Sequence, residues 1–398
     1  MKIYTAKKDN TSAKNIVVDD MILTTDMPTA AGSRMLDGYM SLVGSEAVAR
    51  LTAAGYSISG KADVGEFAFD LLGESSYNGA CVSDGRLFLA SAEVLNSGDA
   101  VATLNLDVNG SVRRAAAQSG LVSVKPTYGT VSRFGTVPVA CSGETVSVMA
   151  KTADTCREIL GVIAGHDDKD GTSLPLSDCE KVKSAKKITK IAVVKTMEKN
   201  TDDEVKAKIA AFCDAAKSEG IEICEIESDI IAASRVAWNI LMSAELCNNV
   251  SRYDGVKFGY RAENFSGIDE LYTNSRTEAF GELLKTAILF GSETLSTENY
   301  MKVYDKALRT RRVVVTEFAK IFDGFDAVIM PACSKMAYTE KDVKENKYLC
   351  FEENVYTAPA SVTGLPAVVV GGVQLVGPAF SELSMLELAE KLEKKGDK

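Results

Sequence analysis

Among its 398 residues the chain has a single histidine and a single tryptophan. The histidine, His166, sits in a polar Gly-His-Asp-Asp stretch, which argues against a Ser–His–Asp relay. The nine cysteines are odd in number and none forms a Cys-x-x-Cys pair. That pattern argues against zinc and against a disulfide framework, and for reduced thiols in a cytoplasmic protein. No metal and no cofactor are expected. No apolar run approaches the length of a membrane span, so no membrane contact is expected. Met1 to Asp20 lacks the basic start and long apolar run of a secretory signal. Excess positive charge is missing too: a net charge of −10 argues against direct nucleic-acid binding. The cluster Arg309, Arg311 and Arg312 reads as a solvated helix face. What remains is the composition of a soluble globular protein, 46% apolar and 25% charged, long enough to bury a large core.

The informative stretch runs from Asn105 to Gly135. Asn105-Leu-Asp-Val-Asn-Gly-Ser111-Val-Arg113 is a polar turn that delivers Ser111 to an Ala-rich helix ending at Ser119. Backbone N–H groups at such a junction are free to stabilise an oxyanion, so Ser111 is a candidate nucleophile; it also reads simply as a helix cap. A short apolar strand, Leu121 to Val124, is stopped by Pro126. Elsewhere Asn15–Leu23, Tyr56–Gly60, Ile188–Lys195, Ile221–Ile226 and Gly324–Pro331 read as strands. Val205, Ile209, Phe212 and Ala216 share one helical face between two of them. Strand–helix–strand spacing of this kind predicts an α/β fold. Residues 1–14 are polar and predict a flexible start, leaving 15–398 as one domain.

Asp107, Gly110, Ser111 and Arg113, then Lys125-Pro-Thr-Tyr-Gly129, then Ser132-Arg133 and Gly135, resemble the amidase signature family. Ser251-Arg-Tyr-Asp-Gly-Val-Lys-Phe-Gly-Tyr-Arg261, Ser275-Arg-Thr-Glu-Ala-Phe-Gly281 and Tyr304-Asp-Lys-Ala307 narrow the resemblance to the glutamine-hydrolysing A-type subunits of tRNA-dependent amidotransferases. The resemblance covers Ile16 to Leu392 and lacks that group's usual N-terminal helical region. It implies an α/β/α domain around a mixed, mostly parallel sheet. It also implies B- and C-type partner subunits, a small amide as ligand, and a Ser–Ser–Lys triad with Ser111 as nucleophile.

Two of the implied parts are altered. The triad lysine has two placements, Lys8 in Lys8-Asp-Asn10 or, without gaps, Asp19 at the end of Ile16–Val18. The gapless one is preferred, because a rigid site needs a buried strand beneath it. Counting back from Ser111, the bridging serine falls on Leu87, inside Gly85-Arg-Leu-Phe-Leu-Ala-Ser91 where the family has a glycine-rich loop. Asn109 stands for a glycine of the nucleophile turn, a mild change because asparagine tolerates a left-handed backbone. The positions that hold glutamine in the family fall on Trp238, Ala287 and Asn354. Alanine cannot replace an arginine fork, and asparagine loses the charge that pairs with an ammonium. The expectation is a catalytically impaired member acting through a ligand or partner, against the alternative of a working glutamine amidohydrolase with a rebuilt site.

Overall fold

The computed structural model describes residues 2–9 and 12–396. In chain order its strands are β1 (Tyr4–Lys7), β2 (Asn15–Asp19), β3 (Ser57–Ala62), β4 (Val82–Ser83), β5 (Arg86–Leu87), β6 (Ala102–Asp107) and β7 (Val122–Lys125). They continue as β8 (Thr145–Ala150), β9 (Lys190–Val194), β10 (Glu222–Ile226), β11 (Ala327–Pro331), β12 (Ala367–Val370) and β13 (Val373–Val376). Eleven of them form one sheet in the order β1-β3-β2-β6-β8-β7-β12-β13-β11-β9-β10, and β4 and β5 form a separate hairpin.

The sheet is mixed, but not mostly parallel as expected. Parallel pairing is confined to β2 with β3 and β6, and to β9 with β10 and β11; the other six pairings are antiparallel. The crossovers with helices produce the parallel pairs. In the centre, close connections such as the Gly371-Gly372 turn between β12 and β13 need only a hairpin, and a hairpin is antiparallel. The expected flexible start also differs. Tyr4–Lys7 forms the sheet's edge strand against β3, and the Lys8 N–H donates to the Ser59 carbonyl at 2.8 Å.

Fully buried central strands explain why the apolar runs are continuous rather than alternating: every residue of β6, β7, β8 and β11 is buried. Helices flank the sheet, among them Ser111–Ser119 over β6, β7 and β12, and Ala153–Ile163 over β8 and β7. The helix Asp203–Ser218 buries Val205, Ile209, Phe212 and Ala216, the face its spacing predicts. One correction concerns apolar length. The helix Asp229–Val250 is long and apolar enough, by length and composition, to cross a membrane. Here it packs against the helices Glu282–Thr294, Asp305–Phe322 and Leu349–Thr363, so its apolarity serves helix-on-helix burial.

Candidate active site

Ser111 is the first residue of its helix, and Gly110 before it takes φ 80°. A side chain on Gly110 would also meet Thr357, whose Cβ lies 2.3 Å from where a Cβ would stand. The turn is held from below by a buried ion pair. Arg113 Nε donates to Asp107 Oδ2 at 2.8 Å and Nη2 to Oδ1 at 3.0 Å, with both side chains fully buried. The same guanidinium reaches the Thr357 carbonyl at 2.7 Å, Gln374 Oε1 at 3.0 Å and Ser361 Oγ at 2.9 Å. Asp107 Oδ1 also accepts from the Gly110 N–H at 3.0 Å. Although burial opposes it, the Arg113 charge holds the Asp107 carboxyl below its ordinary value. Arg114 adds a second clamp, donating to the carbonyls of Leu71, Asp70 and Asn109 and to Thr357 Oγ1.

The other side of Ser111 is different. A narrow slit lies between Ser111, Val112, Asp19, Asp70, Gly65, Ala68, Leu89 and Leu106. The Ser111 hydroxyl has no hydrogen-bond partner among the described residues, and the serine is 3% exposed. Asp19 ends β2 as the gapless placement has it, and accepts from the Leu106 N–H at 2.7 Å and the Met21 N–H at 3.1 Å. Burial pushes its carboxyl up to about 7, against the pull of those two N–H groups. Lys8 is not in the slit; its amine pairs with Asp26.

Leu87 is in the hairpin, where its N–H donates to the Tyr338 carbonyl at 2.8 Å and its side chain packs in one cluster with Leu89 and Val112. Leu89, two residues on, forms the apolar wall of the slit. The two-residue turn Asp84-Gly85 makes this hairpin, which reaches into the stretch read as altered from the family's glycine-rich loop. That Asp-Gly pair, flanked by Val82 and Leu87, is the signal in the sequence that marks a hairpin there.

Also missed were Lys61 and Asp20. Lys61 lies on β3, fully buried, and donates to Thr29 Oγ1; its amine is 3.9 Å from Asp20 Oδ1. Burial pushes the amine down to about 8 and the Asp20 carboxyl up to about 7. Only the strand register, which brings Lys61 beside Val18, places this amine near Asp20, and no composition rule reports register.

Trp238, Ala287 and Asn354, the positions expected to match a glutamine site, are all buried. Trp238, on the helix Asp229–Val250, donates its indole N–H to Asn109 Oδ1 at 2.9 Å. Asn109 Nδ2 in turn donates to the Phe69 carbonyl at 2.6 Å, so one carboxamide ties the nucleophile turn to two elements. The tryptophan ring lies over Gly143, where a Cβ would stand 2.4 Å from it. Asn354 Nδ2 donates to Asn239 Oδ1 at 2.6 Å, and its Oδ1 has no partner among the described residues. Ala287 is a packing residue of the helix Glu282–Thr294. The structure joins Trp238 to the Ser111 turn and Asn354 to the residue after Trp238, with no charged side chain at any of the three positions.

Comparison with known proteins bears on the family and the fold. The family described as Amidase matches residues 15–83 and 91–386. The chain is 32% identical to the A-type subunit of glutamyl-tRNA(Gln) amidotransferase from Maridesulfovibrio salexigens, over 95% of its own length and 83% of the relative's. Identity to the Streptococcus pneumoniae protein of that name is also 32%, over 95% and 82%. Among solved structures, the A-type subunit of the same amidotransferase from Thermotoga maritima superposes with a TM-score of 0.81 at 25% identity, covering 98% of this chain and 87% of that one.

Proposed function

The chain belongs to the amidase family, and on that premise we propose that it is an A-subunit-type protein that has kept the scaffold and lost the hydrolytic relay. It acts by holding a partner of the B- and C-type subunit class, or a ligand other than glutamine. The observation that carries this reading is the wall beside Ser111, where Asp19 and Leu89, with no amine and no second hydroxyl among the described residues, line a narrow slit. A serine hydroxyl is a weak nucleophile unless a base takes its proton. The interruption of the family match at residues 84–90 falls on the same stretch. Trp238, Ala287 and Asn354 support the reading further, because a glutamine would find no charged group for its carboxylate or its ammonium there.

A second reading is an active glutamine amidohydrolase supplying ammonia for amidation of Glu-tRNA(Gln) or Asp-tRNA(Asn). One observation favours it: Asp19 lines the slit with Ser111, and its carboxyl near 7 suits a general base at neutral pH. The deciding measurement is ammonia release from glutamine and asparagine, with and without B- and C-type subunits. No release above background is expected. Release that disappears in both Ser111→Ala and Asp19→Asn establishes the second reading instead. Calorimetric titration adds an independent check. Losing two hydrogen bonds to charged groups weakens glutamine by about two to four orders of magnitude, so wild type shows no heat at millimolar glutamine. An Ala287→Arg, Asn354→Asp variant that gains binding supports the aligned positions.

A further inference from the structure

The helix Tyr300–Phe322 opens with one π-helical turn, Tyr300–Tyr304, before continuing as α-helix. It buries Ala307, Val314 and Phe318 against the core. The opposite stripe carries Met301, Lys302, Lys306, Leu308, Arg312 and Val313, all exposed and all on one side at helical spacing. Between Tyr300 and Arg312 there are five cationic residues and one acid, in a chain whose net charge is −10. Two of the five are committed within the molecule: Arg309 pairs with Asp305, and Arg311 donates to Ser142. Lys302, Lys306 and Arg312 have no ion-pair partner among the described residues.

The stripe also exposes apolar side chains. Met301 is 62% exposed and Val313 51%. On the neighbouring helix Glu282–Thr294, Leu289 is 71% exposed and Phe290 45%. Like charges along one helix face weaken the helix, and clustered exposed apolar side chains have no folding benefit. Single π-helical turns also collect at functional positions.

We propose that this stripe docks an acidic, amphipathic helix of a partner protein, with Lys302, Lys306 and Arg312 facing its carboxylates and Met301, Leu308 and Val313 facing its apolar side. The proposal rests on the partner-binding reading above. Three features select this occupant. The unpaired charge is positive, so the partner segment is acidic. The cations alternate with aliphatic groups that RNA bases and phosphates would leave uncovered. The acidic remainder of the molecule repels an extended anionic body such as RNA or a bilayer, whereas a single helix meets only the local field.

The probe is a fluorescein-labelled 21-residue helical peptide with leucine at heptad positions and glutamate elsewhere. It is read by anisotropy beside its lysine counterpart, bulk tRNA and phosphatidylglycerol vesicles. The full-length protein should bind the acidic peptide and not the basic one. A Lys302→Glu, Lys306→Glu, Arg312→Glu variant should bind it at least tenfold more weakly, and Leu308→Ser with Val313→Ser should do the same at unchanged charge. Urea unfolding confirms that both variants fold. Equal binding by wild type and either variant overturns the proposal. So does no binding of the acidic peptide, or charge-dependent binding of tRNA or vesicles in its place. These substitutions lie outside the Ser111 site, so the ammonia measurement reports on the preceding reading independently.

Discussion

The two sides of Ser111 can be set against each other. Behind it, Asp107, Gly110 and Arg113 hold a turn through a dense set of hydrogen bonds, with Arg113 alone reaching four residues. In front of it, Ser111 shares a narrow slit with Asp19 and Leu89. The rear of the turn is held by a buried ion pair, while on the slit side the hydroxyl has no partner among the described residues. The difference follows from what each contributes. A buried ion pair that loses one member leaves a stranded charge, so a folded chain must keep both. A hydroxyl without a partner contributes little to folding, whereas Leu87 and Leu89 beside it add apolar burial.

The strongest way to break the comparison is on the scaffold. Arg113→Ala should cost about 3–5 kcal/mol, because it leaves Asp107 buried and unpaired. Urea unfolding reads this directly; a loss under about 1 kcal/mol would mean that the turn is not held by this pair. The tie between turn and helix comes next. Trp238→Phe keeps an aromatic ring and removes the indole N–H, leaving Asn109 Oδ1 without its donor. A buried acceptor left unmet costs about 1–3 kcal/mol, measured in the same unfolding experiment.

Titration distinguishes the two sides in another way. Asp19 and Asp20 stand at about 7 when folded and near the ordinary carboxylate value when unfolded. Between about pH 4 and 7 the folded state therefore holds more protons, and stability falls as pH rises. Lys61, at about 8 when folded, has the opposite effect above that pH, where the unfolded chain is still protonated and stability recovers toward the ordinary lysine value. Asp20→Asn removes one of the two carboxyls. The fall in stability between about pH 5 and 6.5 should become shallower by up to about 1.4 kcal/mol per pH unit. An unchanged slope would show that Asp20 is ionised when folded, paired to Lys61.

How much of this was legible depended on distance along the chain. The turn, the helix after it and the Asp107–Arg113 pair lie within a few residues, and the motif displays them. The gapless alignment put Asp19 at the end of a buried strand, which is its place in the slit. What stayed hidden was settled by packing between remote segments. The Trp238–Asn109 bond spans 129 positions. The burial of Lys61 depends on register between β2 and β3, and the antiparallel centre of the sheet depends on which strands meet. The edge strand Tyr4–Lys7 was hidden for another reason: its polar composition suits an exposed edge as well as a loose end.

The smallest expected effect separates scaffold from relay most sharply. Ser111→Ala deletes a hydroxyl that has no partner among the described residues and lines a narrow slit. Alanine is also the better helix former at the first position of the helix Ser111–Ser119. Stability should therefore stay within about 0.5 kcal/mol of wild type, as for a substitution that breaks no named interaction. Any peptide binding through the Tyr300–Phe322 stripe should be unchanged as well. In a working hydrolase the same deletion would remove the nucleophile and abolish turnover. Two measurements on this one variant, unfolding and ammonia release, then give a pair of results. Neutral stability with no activity to lose places Ser111 among the scaffold's remnants. Neutral stability with loss of a measurable activity restores it as a nucleophile and makes Asp19 the first residue to test as its base.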